Sequence, residues 1–229
     1  MDEITFGRVS LTLPGLDEPG LYLSNVESLE NGRGIVQDFQ YTGADLRALD
    51  LADVQLLTGR IADLRAAQFR LSEVRVNSVV FDTADLGNAR WSDSKLSRVV
   101  FRNCRVMGAT LAGLTLEDVL FDNCRLDYCT FEKNRAVGPV VFSKCSLTEA
   151  SFFDCDLSGA VFDDCVLRRT EFGKGRYQGT DLRGNDLSAV FGVASLSKVI
   201  VDRVQQADMA HALLSELEVT FGDVLDGDR

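Results

Sequence analysis

Large apolar residues recur along this chain at intervals of five. Phe81, Leu86, Trp91, Leu96, Phe101, Val106, Leu111, Leu116, Phe121, Leu126 and Phe131 keep the interval without a break. Phe81, Phe101 and Phe121 are twenty residues apart, and Phe142 and Phe162 continue the series after one added residue. Two residues before most of these centres stands something small: Ala84, Ala89, Ser94, Cys104, Ala109, Cys124 and Cys129. A five-residue beat matches neither the 3.6-residue period of a helix nor the two-residue period of a strand. It predicts a coil that turns a corner every five residues and closes every twenty.

The frame slips by one within Ala136–Val141, where Gly138-Pro139 marks a bend. It resumes as Phe142, Leu147, Phe152, Leu157, Phe162, Leu167, Phe172, Tyr177, Leu182 and Leu187, and a shortened step leads to Phe191 and Leu196. Upstream, Leu46, Leu51, Leu56 and Ile61 keep the beat. Between Ile61 and Phe81 two frames compete. One centres on Leu64, Phe69, Val74 and Val79 and better satisfies the small-then-large rule; the other continues the count through Ala66, Leu71 and Val76.

All six cysteines, Cys104, Cys124, Cys129, Cys145, Cys155 and Cys165, fall two residues before a centre. Four of them form one column a coil apart. A single repeat position marks them as small, weakly polar filler of a tight interior. The spacings that converge on zinc are absent, and parallel stacked side chains disfavour disulfides.

The five-residue pattern resembles the pentapeptide-repeat family, A-[DN]-L-x-x in tandem. Ala44-Asp45-Leu46-Arg47-Ala48, Ala62-Asp63-Leu64-Arg65-Ala66, Ala84-Asp85-Leu86-Gly87-Asn88 and Thr180-Asp181-Leu182-Arg183-Gly184 match it best. The resemblance covers residues 36–200. It implies an all-β solenoid, a right-handed quadrilateral parallel β-helix of about eight coils with a short C-terminal α-helical cap. Two residues of each five would point in and three out. Stacked coils about 4.8 Å apart make a rod of roughly 38 Å, and each repeat buries its centre only by stacking on its neighbours. The expected organisation is an irregular N-terminal cap over 1–35, the β-helix over 36–201, and a C-terminal helix with an acidic tail over 202–229.

Outward positions then carry the function. Just before the Phe column stand Val80, Val100, Leu120, Val141 and Val161, a position that points outward in the family. Five aliphatic side chains would form an exposed stripe along one wall, ending at Asp181. They are read either as residues suited to a parallel ladder or as a partner surface. Asp82, Asp122 and Asp163 follow the centres on the same wall and complete that candidate surface.

Open sheet edges at the rod ends need covering. Asp202-Arg203-Val204-Gln205 has the form of a capping box, and Val204, Ala207, Ala210, Leu213 and Leu214 follow at roughly helical spacing. In fluoroquinolone-resistance members of the family, a C-terminal helix contributes to a homodimer, so these five residues are the candidate dimer segment. Leu217, Val219 and Phe221 alternate like a short strand, with Asp223, Asp226 and Asp228 in a polar tail. At the other end, Pro14-Gly15 and Pro19-Gly20 bracket a loop, and Val9-Ser10-Leu11 or Gly34-Ile35-Val36 opens the first coil.

Composition narrows the function. The 229 residues carry a net charge of −11, which disfavours direct binding to nucleic-acid phosphates and fits either a basic partner or simple solubility. No apolar run reaches membrane-spanning length, and the acidic start lacks the features of a signal peptide, so the expected location is cytoplasmic. The single histidine, His211, has no nucleophile-and-acid arrangement around it in sequence, and no phosphate-binding loop or cofactor motif occurs. A non-enzymatic binding protein without cofactor or metal is expected. Resemblance to the family implies a protein partner, DNA gyrase or topoisomerase IV, engaged by mimicry of DNA. The alternative is a general interaction scaffold that uses the aliphatic stripe.

Overall fold

A computed structural model describes residues 2–30 and 34–221. Its body is a parallel β-solenoid. Strands of eight residues, Ile35–Thr42, Gln55–Ala62, Arg75–Asp82, Lys95–Arg102 and Thr115–Asp122, stack in register at steps of twenty. Each covers two walls of its coil. A third wall is made of shorter strands from Leu49–Ala52 to Glu171–Phe172, and the fourth of single bridges such as Asp85 to Arg105. Seven strand-to-strand steps carry the chain from Ile35 to Gly175, and a last, irregular turn follows. The stack thus holds about seven strand-paired turns, close to the coil count anticipated.

The corners explain the fivefold beat. A residue with positive φ follows most centres by two: Glu73, Ser78, Thr83, Asn88, Asp93, Arg98 and Asn103 have φ between 50° and 55°. Asp and Asn tolerate this left-handed conformation best among residues with a side chain, and one such residue per five turns the chain by a wall. Backbone bonds then run from coil to coil, as in Arg105 N to Ala84 O and Arg125 N to Cys104 O, both 2.9 Å.

The interior is filled by two facing columns. Phe81, Phe101, Phe121, Phe142 and Phe162 stack with centroids 4.8–4.9 Å apart. From the opposite wall, Trp91, Phe131, Phe152 and Phe172 meet them edge to face at 5.8–6.0 Å. Such geometry places ring edges against ring faces, worth about 0.5–1.5 kcal/mol per pair beyond burial.

The contested segment follows the uninterrupted count. Ile61 pairs with Phe81, Leu71 with Trp91, Val76 with Leu96 and Leu46 with Ala66. Leu64, Phe69, Val74 and Val79 are also buried, but at the position elsewhere given to small residues. In these first coils the centres are Ile61, Ala66, Leu71 and Val76, leaving room for larger partners. Gly59 shows the same exchange of volume: a Cβ there would lie 2.3 Å from the Phe39 ring.

Two other expectations are corrected. Phe191 is not a centre: it pairs with Glu171, keeps the twenty-residue step, and is 41% exposed under the guanidinium of Arg169. Val190 and Val193 are buried instead, and the shortened step comes later, where Asp181 pairs with Ile200. The other slip stands where anticipated, with Leu116 opposite Ala136 but Phe121 opposite Phe142.

At the N-terminus, β1 (Glu3–Phe6) and β2 (Val9–Thr12) form an antiparallel hairpin. Val9-Ser10-Leu11 therefore does not open the first coil; Ile35 and Val36 do, within Ile35–Thr42. At the C-terminus a turn of 3-10 helix, Arg203–Gln205, leads into α1, Gln206–Glu216. Residues 217–221 do not form a strand: Leu217 and Glu218 make a turn at the end of α1, and 219–221 have no regular structure. The tail carboxylates Asp223, Asp226 and Asp228 lie outside the described residues.

Candidate interaction surfaces

The thiols have a defined task. Each Sγ donates to the carbonyl of a centre one coil and one wall back: Cys104 to Phe81 at 3.5 Å, Cys124 to Phe101 at 3.4 Å, Cys129 to Val106 at 3.1 Å, and Cys145 to Phe121, Cys155 to Phe131 and Cys165 to Phe142 at 3.3 Å. Asn134, Thr170, Thr180 and Asn185 do the same to Leu111, Leu147, Leu157 and Phe162 at 2.8–2.9 Å. Where the position carries a small donor, that donor satisfies a buried carbonyl that water cannot reach. All six thiols are free and buried, and burial pushes Cys129 up to about 12 and Cys155 to about 11. Cys129 and Cys155 are therefore protonated at neutral pH, without the thiolate that reactivity requires.

Gln205 extends this ladder beyond the last coil. Its amide donates to Leu182 O at 2.8 Å and to Asn185 O at 2.7 Å, and its Oε1 accepts from Asp202 N at 2.6 Å. One side chain therefore closes the capping box and plugs the rod. The spacing of 23 from Leu182, shared with the cysteine bonds, was the available signal in the sequence. Ala212 is buried against the coils, Met209 and Leu213 are partly so, and Glu216 accepts from Val193 N at 2.9 Å.

The other side of α1 is open. Val204 is 84% and Leu214 38% exposed, and Ala207 and Ala210 are exposed with them. Of the five candidate dimer residues, Leu213 alone turns toward the rod. Leu217, Val219 and Phe221 add further exposed apolar area beside them. His211 is exposed on the same helix.

The aliphatic stripe is real as a row but is not a free surface. Val80, Val100, Leu120, Val141 and Val161 stack in register and point out of the coil, yet none is more than 9% exposed. They form a second, smaller core with Leu11 and Leu16, flanked by Phe6, Val9, Leu13, Leu21 and Leu23. The N-terminal segment lies along the wall. Thr12 N donates to Asp118 Oδ1 at 3.1 Å. Reading these five residues as exposed is corrected for a simple reason: a row of aliphatics facing water attracts the nearest apolar segment, and the chain supplies one itself.

Of the three carboxylates on that wall, Asp122 pairs with Arg102 at 3.3 Å and Asp163 accepts from the Ser143 hydroxyl at 3.1 Å. Asp82 accepts from the Thr83 hydroxyl at 3.2 Å. Elsewhere opposite charges alternate between coils, as in Asp85–Arg105, Lys95–Glu117, Glu149–Arg169, Asp154–Lys174 and Asp156–Arg176. Residues 35–201 carry 22 acidic against 20 basic side chains. Nine of the eleven net negative charges come from the ends, with six acids against two bases in 1–34 and seven against two in 202–229. No helix among the described residues is long and apolar enough to cross a membrane.

Parallel coils with a corner every five residues define a β-solenoid of the pentapeptide type. The pentapeptide-repeats family model matches residues 145–188 in eight copies, and the same geometry continues on both sides of them. Residues 145–188 thus carry pentapeptide repeats. No curated protein matches it. Similar solved structures include full-length QnrB1, a plasmid-mediated fluoroquinolone resistance protein, at 17% identity over 78% of this chain and 89% of that one, with a TM-score of 0.38. Another is HetL, a pentapeptide repeat protein involved in heterocyst differentiation regulation from the cyanobacterium Nostoc sp. strain PCC 7120, at 17% identity over 72% and 86%, with a TM-score of 0.33.

Proposed function

We propose that this protein acts without catalysis, by binding another protein along its outer walls, and that it does so as a homodimer joined through α1. The supporting observation is the filled interior. Facing aromatic columns occupy the coil, so recognition falls to ladders of outward side chains on convex walls. The exposed face of Val204, Ala207, Ala210 and Leu214 favours the dimer, since contiguous exposed apolar area usually marks an interface. Light scattering at micromolar concentration tests it: twice the chain mass is expected, and a monomer mass defeats the dimer.

A type II topoisomerase is the first partner to test, because the net charge of −11 suits a basic DNA-binding groove. The charge distribution favours a general protein partner over strict DNA mimicry. A duplex presents an unbroken row of negative groups, whereas rows on this rod set Arg beside Asp, as at Arg102–Asp122 and Asp85–Arg105. Gyrase supercoiling, with and without ciprofloxacin, decides between them. Inhibition or protection near stoichiometric protein supports the topoisomerase; no effect at stoichiometric excess removes it and leaves the general scaffold.

A further inference from the structure

Repeat solenoids are quasi-one-dimensional: each coil touches only its neighbours, and end coils fray before the middle opens. The N-terminal segment of this chain breaks that rule. Ser24 and Asn25 pair with Phe39 and Gln40 of the first coil. Gly7, in the hairpin turn, lies against Asp181 and Arg183, where an added Cβ would be 3.2 Å from Arg183 Nη2. A single outward row leads from Gln40 through Arg60 and the five aliphatics of the stripe to Asp181, one step before it ends at Ile200. The seven steps of about 4.8 Å from Gln40 to Asp181 span roughly 34 Å, well within the reach of the chain from Gly7 to Ser24. The segment therefore runs along that span of the row, against the direction in which the coils advance, and buries Leu11 and Leu16 upon it.

We propose that residues 2–25 are an end-to-end clasp, which ties the last coil to the first and makes the solenoid open as one cooperative unit. Three features serve this role. Apolar contact is distributed over the successive coils that carry Val80 to Val161, so no single coil can leave without disturbing the hairpin. The hydrogen bond from Thr12 to Asp118 sets its register at the middle of the rod. The Asp181–Arg183 pair, at 2.6 Å, receives the hairpin turn at the far end.

Hydrogen exchange of the full-length protein, followed by mass spectrometry over a urea series, tests the clasp. In the wild type, peptides from 35–50 and from 175–195 should exchange with the same urea dependence as the central peptide 95–121. In the Leu11→Ser/Leu16→Ser variant, the end peptides should exchange at least tenfold faster than in the wild type and with a shallower urea dependence than the centre. Wild-type ends that already open independently of the centre overturn the clasp without any variant. End peptides left at wild-type rates in the double variant, with β2 amides unprotected, overturn it as well.

Discussion

The row from Val80 to Val161 and the outer face of α1 both place apolar side chains outside the coil interior. Leu120, at the middle of the row, is 2% exposed, whereas Val204, in the 3-10 turn that leads into the helix, is 84% exposed. The row is continuous, with one aliphatic per coil in register, and offers a long flat track to an extended segment. The helix face is short, set at the rod end, and not part of the cluster that packs against the hairpin. Outward position in a repeat therefore does not decide exposure; what else the chain can lay over that position does.

Four measurements sharpen this contrast. The largest effect belongs to the inner neighbour of the stripe. Phe121→Asp puts a carboxylate in mid-column between Phe101 and Phe142; it should cost more than about 4 kcal/mol, seen as loss of the cooperative thermal transition. An unchanged melting temperature would make the coil register wrong. Next comes Leu120→Asp, one residue away and on the outside. The coil should stay folded while the N-terminal segment lifts, at a cost of about 1.5–3 kcal/mol, with binding of a hydrophobic dye. A loss as large as that for Phe121→Asp would erase the distinction between inner core and covered stripe.

Acid should act more weakly on the same cover. Hydrogen bonding to Arg183 holds the Asp181 carboxyl below its ordinary value. A carboxyl with a lowered folded pKa contributes stability above its unfolded pKa and loses it as pH falls through the folded value. Seating of the hairpin turn should thus be constant near neutrality and loosen only below the ordinary carboxylate range, by under about 1 kcal/mol given the exposure of Arg183. Faster exchange of the hairpin amides in that range checks it, and loosening already at neutral pH contradicts it. Smallest in stability is Leu214→Asp, within about 0.5 kcal/mol. It should nevertheless convert the dimer to monomer by light scattering. A destabilisation comparable to that of Leu120→Asp would mean that the helix face is covered too.

Much of the architecture was legible before any coordinates. The Phe column, the cysteine column, the slip at 136–141 and the capping box at Asp202 all follow from spacing, because a stacked coil repeats one environment every twenty residues. Where one position of the repeat accepts large residues, spacing loses its grip. Leu64, Phe69, Val74 and Val79 mimic centres because Ala66 and Gly59 cede volume to that position. Phe191 mimics a centre because an aromatic side chain beside a guanidinium can also lie outside.

By itself, then, the sequence determined everything that depends on the five-residue period: the corners, the stacked walls, the inward columns and the place of the thiols. These are local and repetitive, so each residue's environment is set by its count along the chain. The tertiary structure alone decided what lies on top of the walls. The hairpin that covers Val80 to Val161 comes from the first 25 residues and reaches as far as Asp181. It is an apolar contact between distant segments, and non-directional attraction of that kind leaves no periodic mark in the sequence.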